Sequence, residues 1–127
     1  MDLLWSDPTE SEDEMGIVPH SEREPAYSIV KYGPDRIEKF LQTNHHQLIL
    51  RSHGLVQNGF SKFADGQLIT INSCTNYCNS YNNDACFFVI QKQFEITPKV
   101  IQPLAQSNQY WEEHQKRPPS PSKLMEM

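Results

Sequence analysis

"LILRSHGLVQNGF", residues 48–60, opens as a strand suited to burial and ends in polar chemistry. Leu48, Ile49 and Leu50 form an apolar run, which Arg51-Ser52-His53 stops with a charge, a hydroxyl and an imidazole before Gly54. A strand tip that runs into a glycine loop is where a rigid scaffold can hold a catalytic base or a metal ligand. The plainer reading of these residues alone is a polar cap on an edge strand, with His53 merely hydrogen-bonded, because a lone imidazole carries no specific signal.

Working outward, residues 47–51 make the first core strand. Strands near 59–64 and 67–72 flank Asp65-Gly66, a strong hairpin signal. Upstream, Gly33-Pro34-Asp35 reads as a helix start, since proline at the first helical position gives up only an orphan N–H. Ile37, Phe40 and Leu41 follow at helical spacing, so a short amphipathic helix is expected over 34–44. "YSIVKY" (27–32) alternates as a short strand. Before it, 7–14 reads as an acidic solvated loop and 15–26 as irregular, with Pro19 and Pro25 discouraging regular structure. Downstream, strands are expected at 85–91 and 93–99, with Pro98 limiting pairing near the end of the second. The order of elements suits an α+β layer rather than a parallel repeat. Residues 1–104 form the folded part, and the polar, Pro-rich stretch 105–127 reads as a tail.

Composition narrows the function classes. The chain has 127 residues, a net charge of −5 and 21% charged residues, which leaves no basic stripe for nucleic acid. No apolar run approaches a membrane span, and the acidic start "MDLLWSDPTESEDE" is no secretory signal. Cys74, Cys78 and Cys86 are an odd count without a CxxC, which argues against a disulfide framework or zinc ribbon and for reduced thiols in the cytosol or nucleus.

Two loops carry the candidate chemistry: the one after His53, and "SCTNYCNSYNND" (73–84) after the strand "QLITIN". In a twisted sheet these loops can meet at one edge. Imidazole is the commonest metal ligand, and the Tyr77 phenol can hydrogen-bond an anionic oxygen. Loop packing is the plain alternative for Tyr77 and Tyr81, as burial as a small apolar side chain is for Cys78.

"DLLWSDP" (2–8), "RSHGLVQNGF" (51–60) and "TNYC" (75–78) occur in the order and spacing of the C-terminal part of the PPP family of metal-dependent serine/threonine phosphatases, which the chain resembles. "LLWSDPTE", "YGPDRI", "GQLITINSCTNYC" and "PKVIQPL" look most like the Kelch-repeat phosphatases of the plant brassinosteroid-signalling type. The resemblance implies the β-rich C-terminal part of the metallophosphatase α/β/β/α sandwich, with one short helix. It makes His53 a metal ligand, Asp7 an acidic residue near the active site and Tyr77 a contact to the substrate phosphate, with Cys78 beside it. It implies a pair of divalent metals (manganese, iron or zinc) and a phosphoserine or phosphothreonine protein as substrate, with no nucleic acid or membrane partner. Phosphoester hydrolysis suits such a pair, which activates water and clamps phosphoryl oxygens.

The chain departs from the family pattern in three ways. GDxHG, GDxxDRG and GNHE, which supply most metal ligands, do not occur in it, so it reads as the C-terminal portion of a truncated or mispredicted phosphatase. Relatives carry a phosphate-binding Arg-Gly shortly before the helix; here the stretch is "SEREPAYSIVKYG", and Arg23 is the nearest candidate, two or more positions early. Gly54 stands where relatives usually carry Glu or Gln. A single metal ligand implies no turnover by the chain alone, and the missing part of the sandwich implies low solubility. The alternatives are a catalytically dead interaction module, and a small β-domain of unrelated function.

Overall fold

The computed structural model describes residues 2–23 and 29–104; the boundary drawn between 104 and 105 has its tail side outside the described residues. The first turn of chain is a short helix α1 (Asp2–Trp5). A three-stranded sheet follows, in the order β1 (Asp7–Pro8), β3 (Val30–Tyr32), β2 (Ile17–Pro19). Helix α2 (Pro34–Asn44) leads to a second sheet of β4 (Ile49–Arg51), β6 (Leu68–Ile71) and β5 (Phe60–Phe63) in that order. A hairpin of β7 (Ala85–Ile90) and β8 (Ile96–Ile101) ends the described chain.

Helix α2 starts and stops where its sequence says. Pro34 occupies the first turn with Asp35 beside it, and His45 caps the other end in the left-handed region at φ 55°. There its N–H reaches the Gln42 carbonyl, and the N–H of His46 that of Leu41. Ile37 and Leu41 turn inward with Ala64 and Leu68 to make the core, and Tyr32, Ile49 and Phe63 pack around it. Phe40, expected on the same stripe, is half exposed and lies beside the His46 ring instead.

The Asp65-Gly66 hairpin forms as expected, with Ala64, Asp65 and Gly66 all at positive φ and the Gln67 N–H closing the turn on the Ala64 carbonyl. Two strands depart from the sequence reading. Residues 7–14 are not wholly a solvated loop, because Asp7 and Pro8 pair in parallel with Lys31 and Tyr32. Residues 15–26 are not wholly irregular, because Ile17–Pro19 pairs antiparallel with Val30–Tyr32. Strand β8 runs to Ile101 although Pro98 sits opposite Phe88. It is the outer member of a two-stranded sheet, where a missing N–H costs no ladder bond on the open side.

One connection matters most for function. Strands β4 and β6 are parallel neighbours, with Arg51 beside Thr70. The loop carrying His53 and the loop 72–84 therefore leave the sheet at the same edge. Ser52 Oγ stitches them together by donating to the Ile71 carbonyl at 3.0 Å.

Candidate active site

Asp7 is the centre of a polar cluster assembled from four segments. The parallel pairing of β1 with β3 fixes its backbone. Arg51, at the tip of β4, donates from Nη2 to Asp7 Oδ1 at 2.6 Å. Arg23, in the turn after β2, donates from Nη2 to Asp7 Oδ2 at 2.6 Å. Side-chain exposure is 17% for Asp7, 14% for Arg51 and 26% for Arg23, so these are charge-assisted bonds in a partly desolvated setting. Burial pushes the Asp7 carboxyl up, but the hydrogen bond with His20, the charge and hydrogen bond of Arg51 and the charge of Arg23 outweigh it and hold its pKa below 3.8. Arg51 also donates to Thr70 Oγ1 at 3.3 Å and to the Ser6 carbonyl at 3.5 Å, which fastens the first sheet to the second.

His53 stands at the open side of this cluster. Its backbone is left-handed, at φ 77°, a conformation that costs a residue with a Cβ about 1 kcal/mol or more and persists only where the surroundings enforce it. Arg23 Nη1 lies 2.5 Å from His53 Nε2. The Trp5 ring meets the imidazole edge-on, with centroids 4.9 Å apart, and the Arg23 guanidinium lies 5.7 Å from the Trp5 ring. A shallow cavity of about 500 Å³ opens beside Asp7 and Arg23, with Pro8, Glu10, His20, Glu22 and Lys31 as its other walls.

Of the residues expected at the site, Asp7, Arg23 and His53 meet. Arg23 reaches the other two despite its early place in sequence. Tyr77 stands at the shared sheet edge, in a turn of 3-10 helix (Tyr77–Asn79), half exposed and beside Tyr81 at 6.1 Å. No hydrogen bond, ion pair or ring contact among the described residues joins it to Asp7, Arg23 or His53. Cys78 is exposed and left-handed, at φ 54°. The loop around both residues is held by Asn83, which is 0% exposed: its Nδ2 donates to the carbonyls of Cys74 and Asp84, and its Oδ1 accepts from the Tyr77 N–H at 2.9 Å. Asn83→Ala leaves those groups without partners and is expected to cost about 2–4 kcal/mol. The thermal midpoint should fall accordingly, and an unchanged midpoint would contradict the role assigned to this amide.

Sequence reading missed His20 and the part Arg51 plays. The charge of Arg51 at a strand tip was visible, but its partner across 44 residues was not. His20 carries no local signal at all, being buried at 3% exposure by tertiary packing.

The described residues contain no group of three or more His, Cys, Asp or Glu side chains placed to hold a metal ion. His53 Nε2 already faces a guanidinium, and both Asp7 oxygens are taken. The donor set of these residues does not by itself fit a metal centre.

No protein-family model matches the chain. It is 46% identical over 104 residues to the serine/threonine-protein phosphatase BSL2 of Arabidopsis thaliana, which covers 82% of this chain and 10% of that protein. The fold matches a solved protein serine/threonine phosphatase from Saccharomyces cerevisiae, described as similar to human phosphatase PP5, at TM-score 0.66 and 26% identity. The chain belongs to the PPP phosphatase family. The match covers 84% of this chain and 34% of the yeast structure, and the mixed, β-rich architecture corresponds to the C-terminal part of the PPP fold. The chain thus spans about a tenth of the curated relative and a third of the solved one. PPP phosphatases are metal-dependent enzymes that act on phosphoproteins. Among the described residues no helix is long and apolar enough to cross a membrane.

Proposed function

We propose that this chain is the C-terminal part of a catalytic domain that removes phosphate from phosphoserine and phosphothreonine in proteins, in the cytosol or nucleus. The observation that carries the reading is the meeting of Asp7, Arg23 and His53, from segments that are local neighbours neither in sequence nor in the sheets. Arg23 is anchored through Nε and Nη2 and turns Nη1 outward, with His53 as its partner. Nη1, the nitrogen turned outward, is the donor left to meet an oxygen of a phosphate dianion. Asp7 neutralises part of the positive charge and fixes its direction. Tyr77, on the loop leaving the same edge, adds a phenol donor to the phosphate oxygens.

His53 takes its role from the family resemblance: a ligand to one of two divalent metals, manganese, iron or zinc, whose other ligands come from the rest of the catalytic domain. Such a pair supplies an activated water and charge neutralisation when bound. Kinship with the Kelch-repeat phosphatases rests on "YGPDRI", "GQLITINSCTNYC" and "PKVIQPL". The free thiols of all three cysteines support the assigned compartment.

The test joins this chain behind the N-terminal part of the catalytic domain of the Arabidopsis relative. The fusion should hydrolyse a phosphoserine peptide in the presence of manganese, and His53→Ala should lower kcat by about 100-fold or more, as loss of a metal ligand does. A folded fusion without turnover would contradict the proposal and favour an interaction module built on the same fold.

A further inference from the structure

His20 has no part in the family resemblance, yet it is the most deeply buried side chain of the polar cluster, at 4% exposure. Its backbone is fixed on both sides: the N–H of His20 donates to the Ile29 carbonyl, and its own carbonyl accepts from the Arg23 N–H at 3.3 Å. That tight turn brings the two side chains back to back. Nε2 of His20 lies 3.2 Å from Arg23 Nε and 3.1 Å from Asp7 Oδ2. One neighbour is always a donor and the other, when ionised, always an acceptor. With its lone pair, Nε2 accepts from Arg23; with a proton, it donates to Asp7. The first state anchors the Arg23 Nε–H and the second ties the ring to Asp7 alone, so the pin on Arg23 is the work of the Nε2 lone pair.

We propose that His20 is a positioning residue, one that pins the Asp7–Arg23 pair so that Arg23 Nη1 is presented beside His53 for the substrate phosphate. The proposal rests on reading the cluster as the phosphate seat. The geometry of the guanidinium explains why a pin is needed. Arginine has several freely turning bonds, and ordering it costs side-chain entropy. Asp7 holds one end of the guanidinium through Nη2, which leaves rotation about that contact open. Among the described residues Arg23 Nε has no acceptor other than His20 Nε2. A second anchor at Nε stops that rotation and fixes where Nη1 points. The buried Nδ1 atom of His20 has no hydrogen-bond partner among the described residues. A polar ring is thus kept in a buried place at a cost that an apolar residue would avoid, as expected when its other nitrogen has work to do.

The experiment uses the 127-residue chain, with inorganic phosphate as probe and the Arg23 Nε–H resonance as readout. In the native protein this proton should exchange with water at least about 10-fold more slowly than in the urea-unfolded chain, and phosphate should shift it. His20→Leu fills the space without a polar atom; it should release the protection and weaken phosphate binding about tenfold, the worth of one charge-assisted hydrogen bond. His20→Asn, whose amide can donate to Asp7 or accept from Arg23, should restore both. Backbone signals of α2 and β6 report whether each variant is folded. Exchange in the native protein as fast as in the unfolded chain, or a folded His20→Leu variant with unchanged protection, would overturn the proposal. A native chain whose Arg23 proton is protected but indifferent to phosphate would instead contradict the reading of the cluster as a phosphate seat, and leave the pin itself supported.

Discussion

Asp7→Ala is expected to lower stability by about 2–4 kcal/mol, because it removes the single carboxylate that satisfies two guanidinium groups. Arg51 is 14% exposed and would keep a charge in a partly dry setting, facing only Thr70 and the Ser6 carbonyl among the described residues. Arg23 would lose its shortest anchor. The substitution also removes a pH dependence. The folded pKa of Asp7 lies below its ordinary value of 3.8. Its stabilisation is therefore fully present above the unfolded value and fades as the pH falls through the lowered folded one. Native and Asp7→Ala chains should differ most near neutral pH and converge in acid, below about pH 4. Urea unfolding at pH 7 and at pH 3 measures both effects. Equal midpoints at pH 7 would mean that the cluster holds nothing together.

Gly33→Ala is the second large expected loss, of about 2–3 kcal/mol. The backbone there is ordinary, at φ −80°, so strain plays no part. The cost is steric. A Cβ on Gly33 would lie inside contact distance of the Glu14 carbonyl oxygen, 2.8 Å from Met15 Cα and 2.9 Å from Asp35 Oδ1. Backbone atoms cannot swing aside as the end of a long side chain can. The Gly33 N–H donates to the Gly16 carbonyl at 2.9 Å, and Asp35 Oδ1 accepts from the Gly16 N–H at 2.7 Å. Pushing 14–16 away would break both bonds and loosen β2 on β3, and with it the register that places Asp7 opposite Lys31. A variant with native urea midpoint would show that the 14–16 strip moves freely.

What the sequence made legible follows from how local each signal is. Helix α2 falls on 34–44 because its punctuation, Gly-Pro-Asp, and its inward pair, Ile37 and Leu41, lie within one short window. The Asp65-Gly66 hairpin is likewise local. Strands β1 and β2 have two and three residues, too few to show a period of two, and exist only because β3 lies between them. The site divides in the same way. His53 was marked by its place at a strand tip, and Asp7 and Tyr77 by the family motifs around them. Arg23 is offset in sequence from the family pattern, yet its guanidinium lies against Asp7 and His53. His20 could not be found from sequence, because a buried histidine among Pro19 and Ser21 looks like any loop histidine. Only the approach of the Asp7 and Ile29 segments to its own turn gives it neighbours.

The central claim is that these residues form one face of a phosphatase site and do not make a site by themselves. The most direct measurement is hydrolysis of a phosphoserine peptide by the purified 127-residue chain with added manganese. A metal pair that generates a nucleophile at neutral pH needs several ligands, and the described residues bring no group of three together. The expected result is no turnover above the rate of buffer with metal. Metal-dependent turnover by a soluble, monomeric sample, abolished by His53→Ala, would contradict the account.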